Sequence, residues 1–330
     1  MRAVQIVDLS GPAEALRLVD LPDPEATHML SGDRAVVVDV HAAGVSFPEV
    51  LQTRGEYQLK PPLPFVPGSE VAGVVRSAPE GASVKAGDRV AACCMLGGFA
   101  EVATAPDFLT FPLSDDLDYA QGAGLVLNYH TAWFSLAIRG RLAEGETVLV
   151  HGAAGGVGTA ALQVAKGLGA RTVAVVSSDD KEAVARAAGA DEVLRSDGQW
   201  KDQAKELSGG GVDVVLDPVG GDRFLDSLRS LGEGGRLVVV GFTGGSIPEV
   251  KVNRLLLNNT EVVGAGWGAF VMSKPNLNQE IGEAVNRLVD EGIVRPIVGA
   301  SFPLDRAGEA LELIDSRGAT GKVVLDVRGD

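Results

Sequence analysis

The residues best placed to do chemistry form one run, Val148–Gly158 (VLVHGAAGGVG), followed by TAALQVAKGLGA. A β-branched stretch gives way to a glycine-rich turn and then to helix formers. In that strand–turn–helix context, such glycines bind a dinucleotide. Gly155 lets the backbone approach a pyrophosphate, and Gly158 lets the helix pack closely on the strand. The helix start at Gly156 offers free N–H groups and the positive end of its dipole. Ala154 and Val157 complete the loop. The spacing is A-x-G-x-x-G, with Ala153 where the strict pattern has glycine. The next predicted strand, Arg171–Val176, ends without the acidic residue that would bond a ribose 2′-hydroxyl. Ser177 and Ser178 follow, and Asp179 and Asp180 are placed to cap the next helix. Lys181 and Arg195 are within reach of a 2′-phosphate, although each also reads as an ordinary surface charge. NADPH is favoured over NADH.

Other chemistries find little support. The four histidines, His28, His41, His130 and His151, are scattered without H-x-x-H or H-E-x-x-H pairing, whereas zinc wants about four ligands at fitting spacing. No metal is expected. Cys93 and Cys94 are adjacent, read as small core residues, and supply no disulfide framework, which fits a reducing cytoplasm. No G-x-S-x-G elbow marks a nucleophile. A weak set of acids and bases suits hydride transfer, in which the cofactor carries the chemistry.

The elements that must position these residues fall into two textures. Up to about residue 125 the chain shows short strand patterns (Ala35–His41, Glu70–Arg76 and Phe99–Ala103, with Val84–Val90 as strand, Gly-Asp turn, strand) separated by Gly and Pro, as in a compact β-rich unit. Tyr119–Gly140 reads as mostly helical. From Thr147, Val- and Leu-rich strands alternate with helices, the pattern of a parallel sheet covered on both faces. Lys322–Val327 is a final strand that can return to the first domain.

The 330 residues suggest two domains. Lys and Arg number 29 and Asp and Glu 44, for a net charge of −15. No basic run provides a nucleic-acid surface. No apolar run reaches a membrane-spanning length, and the opening MRAVQIVDLSG lacks the apolar region of a signal peptide, so a soluble cytoplasmic protein is expected.

Several segments in order carry a resemblance: Ala42–Val75, Gly87–Ala92 (GDRVAA), Gly97–Val102 (GGFAEV), His151–Gly158, Gly189–Val193 (GADEV), Asp217–Asp222 (DPVGGD), Gly234–Gly245, Val262–Phe270 and Gly321–Val327. Over essentially its whole length the chain resembles the zinc-independent NADPH:quinone oxidoreductases of the medium-chain dehydrogenase/reductase superfamily. The resemblance implies an α/β chain: a GroES-like β-rich catalytic domain (1–125 and 268–330) and a Rossmann doubly wound parallel-sheet domain (126–267), with the active site in the cleft between them. It implies a homodimer joined through Rossmann edge strands, here Glu261–Trp267. Zinc-dependent relatives carry Cys and His ligands at positions aligned with Ser46 and Ser69. The family's Asn-Phe-Pro-Asp becomes Ser46-Phe47-Pro48-Glu49, so Ser46 stands where an Asn faces nicotinamide and substrate. Tyr57 matches a tyrosine that can donate to a substrate oxygen, and it also reads as a packed loop residue. Thr131 and Asn128 match positions beside nicotinamide. Gly241-Phe242-Thr243 and Ala265-Gly266-Trp267 match loops that bracket it, where backbone groups do most of the binding; Trp267 reads equally as dimer or core packing. Ser177, Ser178, Lys181 and Arg195 match the 2′-phosphate region.

The expected function is hydride transfer from NADPH to a quinone or other conjugated carbonyl, with Ser46, Tyr57 and Thr131 as catalytic residues. An enoyl or acryloyl thioester reductase is one alternative, with Lys60, Arg54 and Lys274 as scattered candidates for coenzyme A phosphates. A non-catalytic NADPH-binding redox sensor is another. The expected partner is a small electrophile, with neither nucleic acid nor membrane.

Overall fold

The computed structural model describes residues 1–271 and 274–328. The chain groups into two compact units: Met1–Leu127 with Met272–Glu283 and Arg295–Asp330, and Asn128–Val271 with Ala284–Val294. From sequence, 268–330 was expected to belong wholly to the first. Residues 284–294 belong to the second because their apolar face packs there: a Cβ on Gly167 would lie 2.6 Å from Leu288 Cδ2.

In the first unit β1 (Arg2–Ile6) pairs antiparallel with β2 (Leu16–Asp20). The main sheet contains β3 (Ala35–Val45), β4 (Glu70–Ser77), β5 (Arg89–Cys93), β6 (Val102–Pro106), β7 (Thr110–Pro112), β14 (Val298–Pro303) and β15 (Lys322–Asp326). Its order is β14-β15-β3-β4-β5-β7, with β6 also on β3. The last strand therefore returns to the first unit, as the sequence suggested. The long strand β3 is almost wholly buried. Val36, Val38 and Val40 pack with Val71, Val90, Phe99, Leu304 and Leu325 into one core. Within Val84–Val90 the expected turn forms at Gly87 and a strand follows from Arg89, but no strand precedes the turn. Gly87, at φ +90, turns there and donates to Val75 O, while Asp88 accepts from Lys85 N. Helix α1 (Phe47–Gln52) follows β3 directly, and α2 (Tyr119–Gly122) and the start of α3 (Val126–Trp133) end the unit's first segment.

The second unit is a six-stranded sheet of β8 (Thr147–His151), β9 (Arg171–Val176), β10 (Glu192–Arg195), β11 (Val212–Asp217), β12 (Leu231–Val239) and β13 (Glu261–Gly264). Its order is β10-β9-β8-β11-β12-β13 and every pairing is parallel. The order reverses between β8 and β11, the switch point outside whose strand ends such sheets bind ligands. All five residues of β8 are buried. Helices α4 (Gly156–Gly167) and α5 (Asp179–Ala187) follow β8 and β9.

Candidate functional site

In the second unit the glycine loop leaves β8 at the switch point. Gly152 turns at φ +59, Ala153 and Ala154 point into the core, and Gly155 is the N-cap of α4. The two functional glycines differ in their surroundings. A Cβ on Gly158 would come 2.2 Å from Gly152 O and 2.7 Å from Ala153 Cα, so this glycine is demanded by packing. A Cβ on Gly155 would meet only Gly152 O, at 3.4 Å, so this position is bare toward open space. Gly155, Gly156 and Val157 are half-buried and face outward with the first N–H groups of α4. Thr159 Oγ1 ties the loop down by donating to Gly155 O at 3.0 Å and Gly156 O at 3.1 Å. Asn128 is buried with its amide against Gly156, where a Cβ would lie 2.5 Å from Nδ2. Thr131, one turn further along α3, is half-buried.

The end of β9 gathers the expected 2′-phosphate residues. Lys181 Nζ donates to Ser177 Oγ at 3.4 Å, and Arg195 Nη2 donates to Ser177 O at 2.9 Å. Ser178 plays a different part, because its Oγ accepts from Lys181 N and caps α5. The cap was expected from Asp179 or Asp180, which instead occupy the first turn, where their charge suits the helix dipole. The carboxylate of Asp179, fully exposed, pairs with Arg195 at 2.8 Å.

Gly241, Phe242 and Thr243 lie beside the turn after β11. Thr243 N and Oγ1 both donate to Pro218 O at 3.1 Å, while Asp217 Oδ1 accepts from Val219 N and Gly220 N at 2.8 Å. Burial holds the Asp217 carboxyl above its ordinary range. Ala265 and Trp267 are buried and Gly266 is exposed. The Trp267 ring packs edge-on to His130 at 5.6 Å, so its side chain belongs to the core.

The first unit holds a separate polar cluster. Ser46-Phe47-Pro48-Glu49 is a capping box: Ser46 is the N-cap of α1, and Ser46 N donates to Glu49 Oε2 at 2.9 Å. Glu49 is fully buried, and Ser69 Oγ donates to its other oxygen. Desolvation pushes the Glu49 carboxyl up, against the pull of Ser69 and Lys322. Beside it Lys322 and Glu70, 3% and 1% exposed, form a buried ion pair. Lys322 Nζ also donates to Ser46 Oγ at 2.8 Å, and Glu70 Oε2 accepts from Leu127 N at 2.9 Å. The pair bridges β15 and β4 over β3. It fits because residue 44 is glycine: a Cβ there would lie 2.7 Å from both Glu70 Cγ and Lys322 Cε.

Tyr57 lines a largely apolar cavity of about 380 Å³ with Leu9, Gln52, Leu59, Leu63 and Phe65. Its phenol is held above its ordinary range, first by burial and then by the neighbouring Glu49 carboxylate. Cys93 and Cys94 are fully buried, and the Cys93 thiol is pushed up to about 12 by desolvation, which removes it as a nucleophile. Of the cations considered for coenzyme A, Lys60 lines the cavity and Arg54 is paired with Asp315.

Two family descriptions match the sequence: "Alcohol dehydrogenase GroES-like domain" over residues 32–115 and "Zinc-binding dehydrogenase" over residues 156–288. The quinone oxidoreductase of Rattus norvegicus is 36% identical over 333 residues, 98% of this chain and 97% of that protein. The chain belongs to the quinone oxidoreductase family of the medium-chain dehydrogenases/reductases. Solved structures agree with the family. A probable oxidoreductase from Mycobacterium abscessus superimposes with a TM-score of 0.88 at 45% identity, covering 99% of each chain. The quinone oxidoreductase of Thermus thermophilus, solved also in complex with NADPH, gives a TM-score of 0.84 at 35% identity over 99% of this chain and all of that one.

The zinc of the second description does not fit this member of the family. Ser46 and Ser69 stand where the resemblance places two zinc ligands, and an ammonium already donates to Ser46. Among the described residues no group of three or more His, Cys, Asp or Glu is placed to hold a metal ion. A dinucleotide does fit: the loop is bare at Gly155 and a cationic pair flanks Ser177. The reading of the sequence did not single out Glu70 and Lys322, which the fold brings against Ser46. The available signal was a charged residue leading each of two otherwise apolar buried strands, EVAGVV and KVVL, since an unpaired buried charge is prohibitively costly.

Proposed function

We propose that the chain is an NADPH-dependent, zinc-independent oxidoreductase that reduces quinones or related conjugated carbonyls. The observation that carries the reading is the convergence of Ser177, Lys181 and Arg195 at the end of β9, beside a strand–glycine–helix loop open at Gly155. Ser177 Oγ, Lys181 and Arg195 hold the 2′-phosphate, and the N–H groups at the start of α4 hold the pyrophosphate. Asn128, Thr131 and the backbone of Gly241–Thr243 and Ala265–Gly266 border the nicotinamide. When bound, the nicotinamide supplies a hydride. In the first unit Ser46 and Tyr57 donate hydrogen bonds to the oxygen on which charge develops, and the apolar walls beside Tyr57 receive the body of the electrophile.

The test is steady-state oxidation of NADPH and NADH with ortho- and para-quinones, simple enones and a crotonyl thioester, with and without chelator. Chelator-insensitive quinone turnover with NADPH is expected. Turnover on the thioester alone would replace the reading with an acyl-thioester reductase, and tight NADPH binding without turnover would replace it with a sensor.

The same reading makes the protein a cytoplasmic homodimer. Strand β13 is a sheet edge with Val262 36% exposed, and Leu256 and Leu257 are 75% and 76% exposed. An open apolar edge favours pairing with a second copy. Two free, buried thiols suit a reducing compartment, and no described helix is long and apolar enough to cross a membrane. Light scattering on the eluting protein is expected to give twice the 34.1 kDa chain mass; a monomer at micromolar concentration would refute the dimer.

A further inference from the structure

The ion pair of Lys322 and Glu70 is a costly way to join two strands. Withdrawing each charge from water costs several kcal/mol, and apolar residues of similar volume commonly do as well. The surrounding backbone is also shaped for the pair: Gly44 makes room for it, and a Cβ on Gly124 would lie 3.0 Å from Lys322 Cγ.

The hydrogen-bond directions show what the charge is joined to. An ammonium only donates, so Ser46 Oγ is the acceptor in the 2.8 Å bond from Lys322. The carboxylates are otherwise engaged. Glu70 takes Lys322 and Leu127 N, and Glu49 takes Ser69 Oγ and Ser46 N. Among the described residues, the hydroxyl hydrogen of half-buried Ser46 is committed to no acceptor.

We propose that Lys322 acts through Ser46 as the fixed cation of the substrate site, strengthening the Ser46 hydroxyl as a donor to a carbonyl oxygen that takes up negative charge. This inference rests on the reading of Ser46 as a substrate contact. The chain thereby supplies, with an ammonium one hydrogen bond behind a hydroxyl, polarisation that a metal ion would exert directly. The electrophiles it favours are those whose charge collects on one oxygen, such as quinones and enones. Lys322 is a positioning residue in this scheme, and Ser46 makes the contact.

The test uses the full chain without cofactor and 4-nitrophenol as an oxyanion probe, read by the absorbance of its ionised form. The wild-type protein is expected to make the bound phenol ionise about tenfold more readily, one pH unit lower, and 1,4-benzoquinone is expected to displace it. Lys322→Met is expected to abolish the shift, and Lys322→Arg to retain most of it. If Lys322→Met does not fold, Lys322→Met combined with Glu70→Gln removes both charges together and is judged by the same shift. A folded charge-free variant that keeps the full shift overturns the proposal while leaving the reading of Ser46 standing. A phenol that wild-type protein does not bind, or that quinone does not displace, overturns that reading and the proposal with it.

Discussion

Lys322 Nζ lies 2.8 Å from Ser46 Oγ, although 276 positions separate the two residues in the chain. Ser46 therefore has two duties, as N-cap of α1 and as the half-buried end of a buried charge network. Ser46→Ala should lower stability by about 1 kcal/mol through the lost cap and reduce kcat/KM for quinones by roughly tenfold through the lost donor. Ser46→Asn should keep the cap. Thermal melts and steady-state kinetics separate the two duties, and undiminished kcat/KM in Ser46→Ala would remove Ser46 from the reaction.

Cofactor discrimination should reside at the end of β9. Lys181→Met and Arg195→Ala should each weaken NADPH binding by about tenfold or more, the worth of a charge-assisted bond to phosphate, and leave NADH nearly unchanged. Asp179→Asn should act in the opposite direction, because its carboxylate occupies Arg195 and repels a phosphate. Fluorescence titration with both cofactors reads all three. Equal losses for NADPH and NADH would place the 2′-phosphate elsewhere.

The two loop glycines should fail in different ways. In Gly158→Ala the added methyl meets backbone at 2.2 Å, so the loop and the start of α4 must shift, and the protein should be recovered poorly or melt far below wild type. Gly155→Ala has room and should fold normally, yet its methyl enters the space a pyrophosphate needs and should weaken NADPH binding. A Gly155→Ala protein that binds NADPH as wild type would show that the pyrophosphate does not approach there.

Acid stability should depend on two histidines. Burial lowers His130 and His151 from 6.5 to about 3, so folded protein refuses protons that the unfolded chain accepts. The unfolded state then binds more protons between about pH 6.5 and 3, and stability falls as pH drops through that window, by up to about 1.4 kcal/mol per pH unit for each histidine. Glu49 has the opposite sign: its raised folded pKa gives stability below the unfolded value that is lost as pH rises. His151→Gln should flatten the acid slope by about one histidine's share. Urea unfolding at several pH values measures it, and an unchanged slope would show that His151 titrates normally.

The local structure of the proposed cofactor half was legible because its determinants are local. Loop, helix start and the Ser177–Lys181 segment are consecutive, and their backbone conformation follows from glycine placement and strand periodicity. The other half depends on long-range sheet pairing. Nothing near Lys322 in sequence indicates Glu70 or Ser46; only the pairing of β15 and β4 with the two sides of β3 brings them together. Ser46-x-x-Glu49 did carry a local signal, the capping box, which a comparison with a substrate motif conceals. For Trp267 the sequence left core packing open as one reading, because a loop matched by similarity does not reveal that its ring turns inward onto His130.

The place of β15 at the far end of the sequence has a consequence for synthesis. A ribosome releases Glu49 and Glu70 early, then the whole six-stranded sheet, and only afterwards the strand bearing their cation. During that interval the first unit has two carboxylates to bury and no ammonium to offset them, whereas the second unit's six strands are already available to pair. Translation order therefore favours the parallel sheet maturing first and the first unit's sheet, which needs β15, being completed last.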